Sequence, residues 1–105
     1  MNLPKVLQEL LEAQSRFDSK KYASLFSEFA VVQDEGVRYK GIKEIEEWNQ
    51  LTNKKYQTNY FPLYYDEISK ILTVEVSGTF QGSPVIMRQQ YVFDQEGKII
   101  EWKNV

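Results

Sequence analysis

The chain has 105 residues, 42% hydrophobic, 27% charged and 14% aromatic, with 13 basic and 15 acidic side chains and a net charge of −2. That is one domain, residues 1–105, with a single core, and it lacks the Lys/Arg stripe expected of a nucleic-acid binder or a protein held at a membrane surface. With no cysteine and no histidine, disulfides, thiol and imidazole chemistry and the usual zinc sites are excluded, leaving carboxylates, tyrosines, lysines or water to move protons.

The opening stretch, MNLPKVLQEL, carries Lys5 and Glu9 where a secretory leader needs an apolar core. No apolar run approaches the length of a spanning helix, so no membrane association and a cytoplasmic location are expected. Leu3, Val6, Leu7, Leu10, Leu11 and Phe17 recur at three- and four-residue steps and predict a first helix, with Pro4 in its opening turn. Asp18 or Ser19 is placed to cap a second, shorter helix whose inward face is Tyr22, Leu25, Phe26 and Phe29. AVVQDEG then reads as a short strand ending in a turn. Beyond Gly41, the residues Ile42, Ile45, Trp48 and Leu51 mark a third helix, with Glu44, Glu46 and Glu47 early and Lys54 and Lys55 late, as the helix dipole favours.

From Tyr56 the period changes to two. A strand carrying Tyr60, Phe61, Tyr64 and Tyr65 contains Pro62, which predicts a bend, a bulge or an edge position. ILTVEVSGTF alternates Leu72, Val74 and Val76 against Thr73, Glu75 and Ser77. PVIMRQQYVF sets Val85, Met87, Gln89, Tyr91 and Phe93 on one face, and the last strand puts Ile100 and Trp102 together. EISK, QGSP and DQEGK break the pattern at hairpin spacing. Helices followed by hairpin-linked strands predict an α+β domain, its helices on one side of a curved sheet with a pocket between them.

LFSEFAVVQDEG, then YKGIKEIEEW, then GSPVIMRQQYVF running into GKIIEW resemble the SnoaL-like branch of the nuclear transport factor 2 superfamily, which also contains ketosteroid isomerase. The resemblance covers essentially the whole chain. It implies three N-terminal helices packed over a strongly curved, mainly antiparallel sheet, a cone-shaped α+β barrel enclosing a pocket. It also implies a homodimer through the outer sheet face. Asp34 falls where ketosteroid isomerase keeps its proton-shuttling aspartate. Leu10 and Gln89 fall where that enzyme keeps its two oxyanion donors, a tyrosine and a protonated acid, so one element of three survives. Members of the superfamily range from isomerases, cyclases and hydrolases to pure binding modules, so the fold does not by itself deliver a function.

Asp34 is thus a candidate general base, which would need a partly desolvated seat; the competing reading is a turn residue bonded to nearby amides. Gln89 sits among apolar neighbours and must be paired or face a cavity, because an unsatisfied buried polar group costs about 1–3 kcal/mol. It is a candidate donor to a ligand oxygen. Trp48, Tyr56, Tyr60, Met87, Tyr91 and Trp102 are candidates to line a pocket for a flat apolar or carbonyl-containing molecule. Spacing does not tell which tyrosine approaches Asp34. Asp34 and Glu35 are too sparse for magnesium or calcium, the acids near Glu44 read as a solvated helix start, and no metal or cofactor is expected. Arg88, Ile86, Gln90 and Val92 give the outer face a mixed character suited to a dimer contact. Three readings follow: a cofactor-free proton-transfer enzyme of isomerase or cyclase type, a non-catalytic ligand-binding module, and a protein-interaction domain.

Overall fold

The amphipathic spacing of the first residues forms helix α1 (Lys5–Ser15), which buries Leu7, Leu10 and Ala13. Pro4 stands at its N-cap, where its carbonyl accepts from the Leu7 and Gln8 amides. The computed structural model describes residues 2–105. Helix α1 stops at Phe17, whose φ is 53°. The Phe17 amide donates to the Gln14 carbonyl and the Asp18 amide to that of Ala13, a Schellman ending. That ending turns Phe17 out of the expected apolar stripe and leaves it 42% exposed. Asp18 then caps α2 (Ser19–Ser24) by accepting from the Lys21 amide at 3.0 Å.

Helix α2 is shorter than its apolar spacing suggested. Phe26 to Asp34 form strand β1, which hairpins through Glu35 and Gly36 into β2 (Val37–Lys40). Phe29, expected on the inner face of the helix, therefore lies on a strand and is exposed. Helix α3 (Gly41–Tyr56) follows, its first turn closed by the Lys40 amide donating to Glu44 at 2.9 Å. It buries Ile45, Trp48, Asn49 and Asn53, while Leu51 faces out.

The remaining strands are β3 (Asn59–Asp66), β4 (Ile71–Ser77), β5 (Val85–Phe93) and β6 (Ile99–Asn104). One six-stranded sheet runs in the order β2-β1-β6-β5-β4-β3, antiparallel throughout except for the parallel β1–β6 pair. The alternation expected of β4 holds, with Leu72, Val74 and Val76 all buried. On β6 a register shift intervenes, so Ile99 and Trp102 are the buried pair and Ile100 is displaced from it. The core lies between the inner sheet face and the helices, with Tyr22, Ile45 and Trp48 against Val32, Tyr91 and Trp102.

The expectation of a strongly curved, cone-shaped barrel enclosing a pocket is overturned. The helices do lie over a mainly antiparallel sheet, but that sheet is open, with β2 and β3 as unpaired edges. The register shifts at Phe26/Val31, Pro62/Tyr64 and Val92/Phe93 bend strands locally and do not bring those edges together. Both edges also resist pairing. Strand β2 is four residues long and carries Arg38 and Lys40, and β3 has Pro62, which lacks a ladder donor. Nor do the helices all precede the strands, because β1 and β2 form before α3.

Candidate functional site

Asp34 is the last residue of β1, half-buried, and paired with Val37 across a two-residue turn. Glu35 (φ 50°) and Gly36 (φ 79°) both occupy the left-handed region, as the tight hairpin turn requires. The Asp34 side chain takes no part in that turn. Its Oδ2 accepts from the Trp48 indole at 3.2 Å, and its Oδ1 from the Asn104 amide at 2.9 Å. These donors come from α3 and from β6, so three separate segments fix one carboxylate. Both are neutral, and neither ion pair among the described residues involves Asp34.

Asp34 opens onto a cleft of about 500 Å³ between α3 and the inner face of the sheet. Trp48, Tyr56, Tyr60, Met87 and Trp102 line it, as do Tyr39 and Phe80. Hollows of about 590 Å³ beside the Glu96–Lys98 turn and about 540 Å³ at the Asp66–Ile68 turn contain none of the candidate residues. Volume alone therefore does not select the site. The aromatic wall is continuous: the rings of Trp48 and Trp102 stand 5.3 Å apart edge to face, and Tyr39 lies 5.7 Å from Trp48. Gly78 shapes the opposite end, because a Cβ there would run into the Tyr56 carbonyl. The chain can then pass close under the end of α3, where the Thr79 amide donates to that carbonyl at 2.7 Å and Phe80 meets Tyr56.

Gln89 and Tyr91 are fully buried and lie outside the lining. They are linked to each other and to the wall: the Trp102 indole donates to the Tyr91 hydroxyl at 3.0 Å, and that hydroxyl donates to Gln89 Oε1 at 3.1 Å. Gln89 Nε2 and the Tyr22 hydroxyl are buried without partners, and so is Asn104 Oδ1. Burial raises the pKa of Tyr22, Tyr60 and Tyr91 above the ordinary tyrosine range. The Asp34 charge raises Tyr60 further, neighbouring Tyr60 and Tyr91 and then Asp34 raise Tyr22, and the Gln89 amide eases Tyr60 back. These phenols are therefore neutral donors at ordinary pH, and Tyr60 is the one that shares the cleft with Asp34.

The structure thus brings Asp34, Trp48, Tyr56, Tyr60, Met87 and Trp102 to one cleft and places Gln89 and Tyr91 in the core outside it. Sequence reasoning passed over Asn104, Tyr39 and Phe80. Asn104 carried a signal, for it lies two residues beyond Trp102 on a strand and so shares its face. Among the described residues, no three His, Cys, Asp or Glu side chains converge on a point, and no helix is long and apolar enough to cross a membrane.

No protein-family model matches the sequence, nor does any curated protein. Solved structures do. A candidate polyketide cyclase from Sinorhizobium meliloti is 28% identical, with a TM-score of 0.89 over 98% of this chain and 95% of that one. A Catenulispora acidiphila protein of ketosteroid isomerase-like fold, in complex with trimethylamine, is 14% identical, with a TM-score of 0.78 over 99% and 86%. A Mycobacterium tuberculosis protein in complex with estradiol-17beta-hemisuccinate is 12% identical, with a TM-score of 0.79 over 94% and 88%. The chain has the fold shared by nuclear transport factor 2-like, SnoaL-like and ketosteroid isomerase-like proteins, a superfamily that holds both catalysts and binders of small molecules, and no single family within it is singled out.

Proposed function

We propose that this chain is a SnoaL-like small-molecule-binding domain that catalyses cofactor-free proton transfer on a mostly apolar carbonyl compound. The observation that carries the reading is a carboxylate without a cation, held by two neutral N–H donors at the wall of an aromatic cleft. Each Asp34 oxygen has one lone pair committed to its donor and keeps the other for a proton. Asp34 would remove a proton from the carbon beside the carbonyl while the C–H electron pair moves onto the carbonyl oxygen. The same carboxyl would then return the proton to carbon, with a cleft tyrosine steadying the enolate oxygen in between. Similarity to a candidate cyclase is in keeping with this chemistry.

The test uses 2-tetralone, a flat bicyclic ketone with exchangeable protons beside its carbonyl. In D2O the wild-type protein should accelerate deuterium entry at those carbons, and Asp34→Asn should abolish the acceleration. Equal rates in both proteins would reduce the site to a non-catalytic binding module.

A second reading has its own observation. Phe61 (66% exposed) and Ile86 (58%) both flank Glu75 on the outer sheet face, and Tyr64 is exposed nearby. A patch of this kind suits a homodimer contact. Sedimentation of the wild type against Ile86→Lys tests it, with a dimer expected only for the former.

A further inference from the structure

The indole N–H of Trp102 can only donate, which fixes the direction of every hydrogen bond behind the cleft. Tyr91 accepts from Trp102, so its own proton points to Gln89 Oε1. The amide of Gln89 is thereby oriented with Oε1 toward Tyr91 and Nε2 away from it, and Nε2 has no partner. Tyr60 and Gln89 both project onto the inner face, since their register partners Val76 and Leu72 are both buried. The amide lies close enough to favour a negative Tyr60 oxygen, short of a formed hydrogen bond. The two Asp34 oxygens accept from Trp48 and Asn104 and not from Tyr60, so the Tyr60 proton is not committed to the carboxylate. Of these groups, only Tyr60 and Trp102 reach the cleft that holds Asp34.

We propose that Tyr60 is the residue that donates to the ligand's oxygen, and that Gln89, Tyr91 and Trp102 are positioning residues that act through it in series. When a carbonyl oxygen settles on the Tyr60 hydroxyl, the phenol oxygen becomes a better acceptor and draws in the idle Gln89 N–H. The chain Trp102–Tyr91–Gln89–Tyr60–ligand then closes with each link donating in the same sense, and each bond polarises the next. No proton leaves the chain: in the transfer proposed above, Asp34 carries the proton from carbon to carbon and Tyr60 only hydrogen-bonds the enolate oxygen. The arrangement selects a ligand with an acceptor oxygen over an otherwise identical hydrocarbon. This inference rests on the aromatic cleft being a ligand site, and it assigns to Tyr60 the direct contact that the sequence assigned to Gln89.

The experiment binds 2-tetralone, labelled with carbon-13 at the carbonyl, and the hydrocarbon tetralin, which has the same ring system without the oxygen. Isotope-edited infrared spectroscopy of the bound ketone should show a carbonyl stretch shifted down by hydrogen bonding in wild type. In Tyr60→Phe that shift should vanish, and ketone affinity should fall by roughly three- to tenfold, the worth of one net hydrogen bond. Gln89→Met should keep part of the shift, because the donor stays while the link behind it is cut. Tyr91→Phe breaks the series one step earlier and serves if Gln89→Met does not fold. Tetralin affinity should be the same in all of these proteins. A carbonyl stretch unchanged in Tyr60→Phe, or one abolished only by Gln89→Met, would overturn the assignment while leaving the binding site intact. Failure of wild type to bind either molecule would overturn the site and the inference together.

Discussion

The molecule contains two buried polar assemblies, one among the helices and one against the sheet, and they are built differently. On the helix side, Gln14, Ser19, Asn49, Asn53 and Thr58 form a closed set. Gln14 donates to Asn53 at 2.7 Å and to the Thr58 carbonyl at 3.0 Å, while Asn49 donates to Gln14 at 2.9 Å. Asn53 donates to Asn49 at 2.9 Å, and Ser19 donates to the same oxygen at 2.7 Å. None of their side-chain polar atoms is left buried without a partner. On the sheet side, Gln89, Tyr22 and Asn104 each keep one orphan. A native core tolerates orphans at a cost of about 1–3 kcal/mol each. The first set joins three helices to the segment leading into β3, whereas the second keeps unpaired atoms in the core behind the cleft.

Forcing charge into the open assembly should produce the largest effect. Tyr22, Tyr60 and Tyr91 have pKa values raised in the folded protein. Their stabilising neutrality is fully present below the unfolded value of about 10 and is lost as pH climbs toward the folded values. Each contributes a slope of about 1.4 kcal/mol per pH unit in that window. A tyrosinate absorbance titration should show these three ionising only together with unfolding. The closed assembly contains no titratable group and should add nothing to that slope.

Next in size is Gln14→Leu, which strands Asn49 Nδ2 and the Thr58 carbonyl at once and should cost about 2–5 kcal/mol by urea denaturation. Gln89→Met should cost only about 1 kcal/mol, since it removes an orphan while leaving the Tyr91 hydroxyl short of an acceptor. If the two variants were equally destabilised, the contrast between closed and open assemblies would collapse. Smallest is Asp66→Asn. Hydrogen bonds from the Ile68 amide and the Ser69 hydroxyl lower the pKa of this carboxyl. Its contribution is present above the ordinary aspartate value and is lost as pH falls through the lowered one. The variant should flatten the acid limb of the stability profile slightly and leave neutral stability near that of wild type.

Much of this molecule was legible in its sequence. The period-two alternation of β4, the apolar spacing of α1 and α3, the Asp18 cap and the break at Pro62 all reflect local rules that operate within a few residues. The helix-to-strand switch at Phe26 was misread because Phe26 and Phe29 fit a helical spacing as readily as a strand. The open sheet was not legible, because strand order depends on which edges find partners and not on any one strand's pattern. The same limit applies to the site. Aromatic residues could be nominated for the cleft, and most of them reach it. That Asp34 would meet Asn104, 70 residues away in the chain, depends on the parallel β1–β6 pairing, which no local pattern announces.

That pairing also governs the order in which the molecule can be assembled. Strand β6 follows the other five in sequence yet is a central strand, flanked by β1 and β5. During synthesis, the β1–β2 hairpin and the β3–β4–β5 meander can each form early, but they remain separate sheets with unpaired edges until residues 99–104 emerge. Pairings this distant in sequence are slow to form, and the open edges meanwhile are available to other chains. Trp102 and Asn104 arrive on that same strand, so the act that joins the two half-sheets is also the one that completes the setting of Asp34.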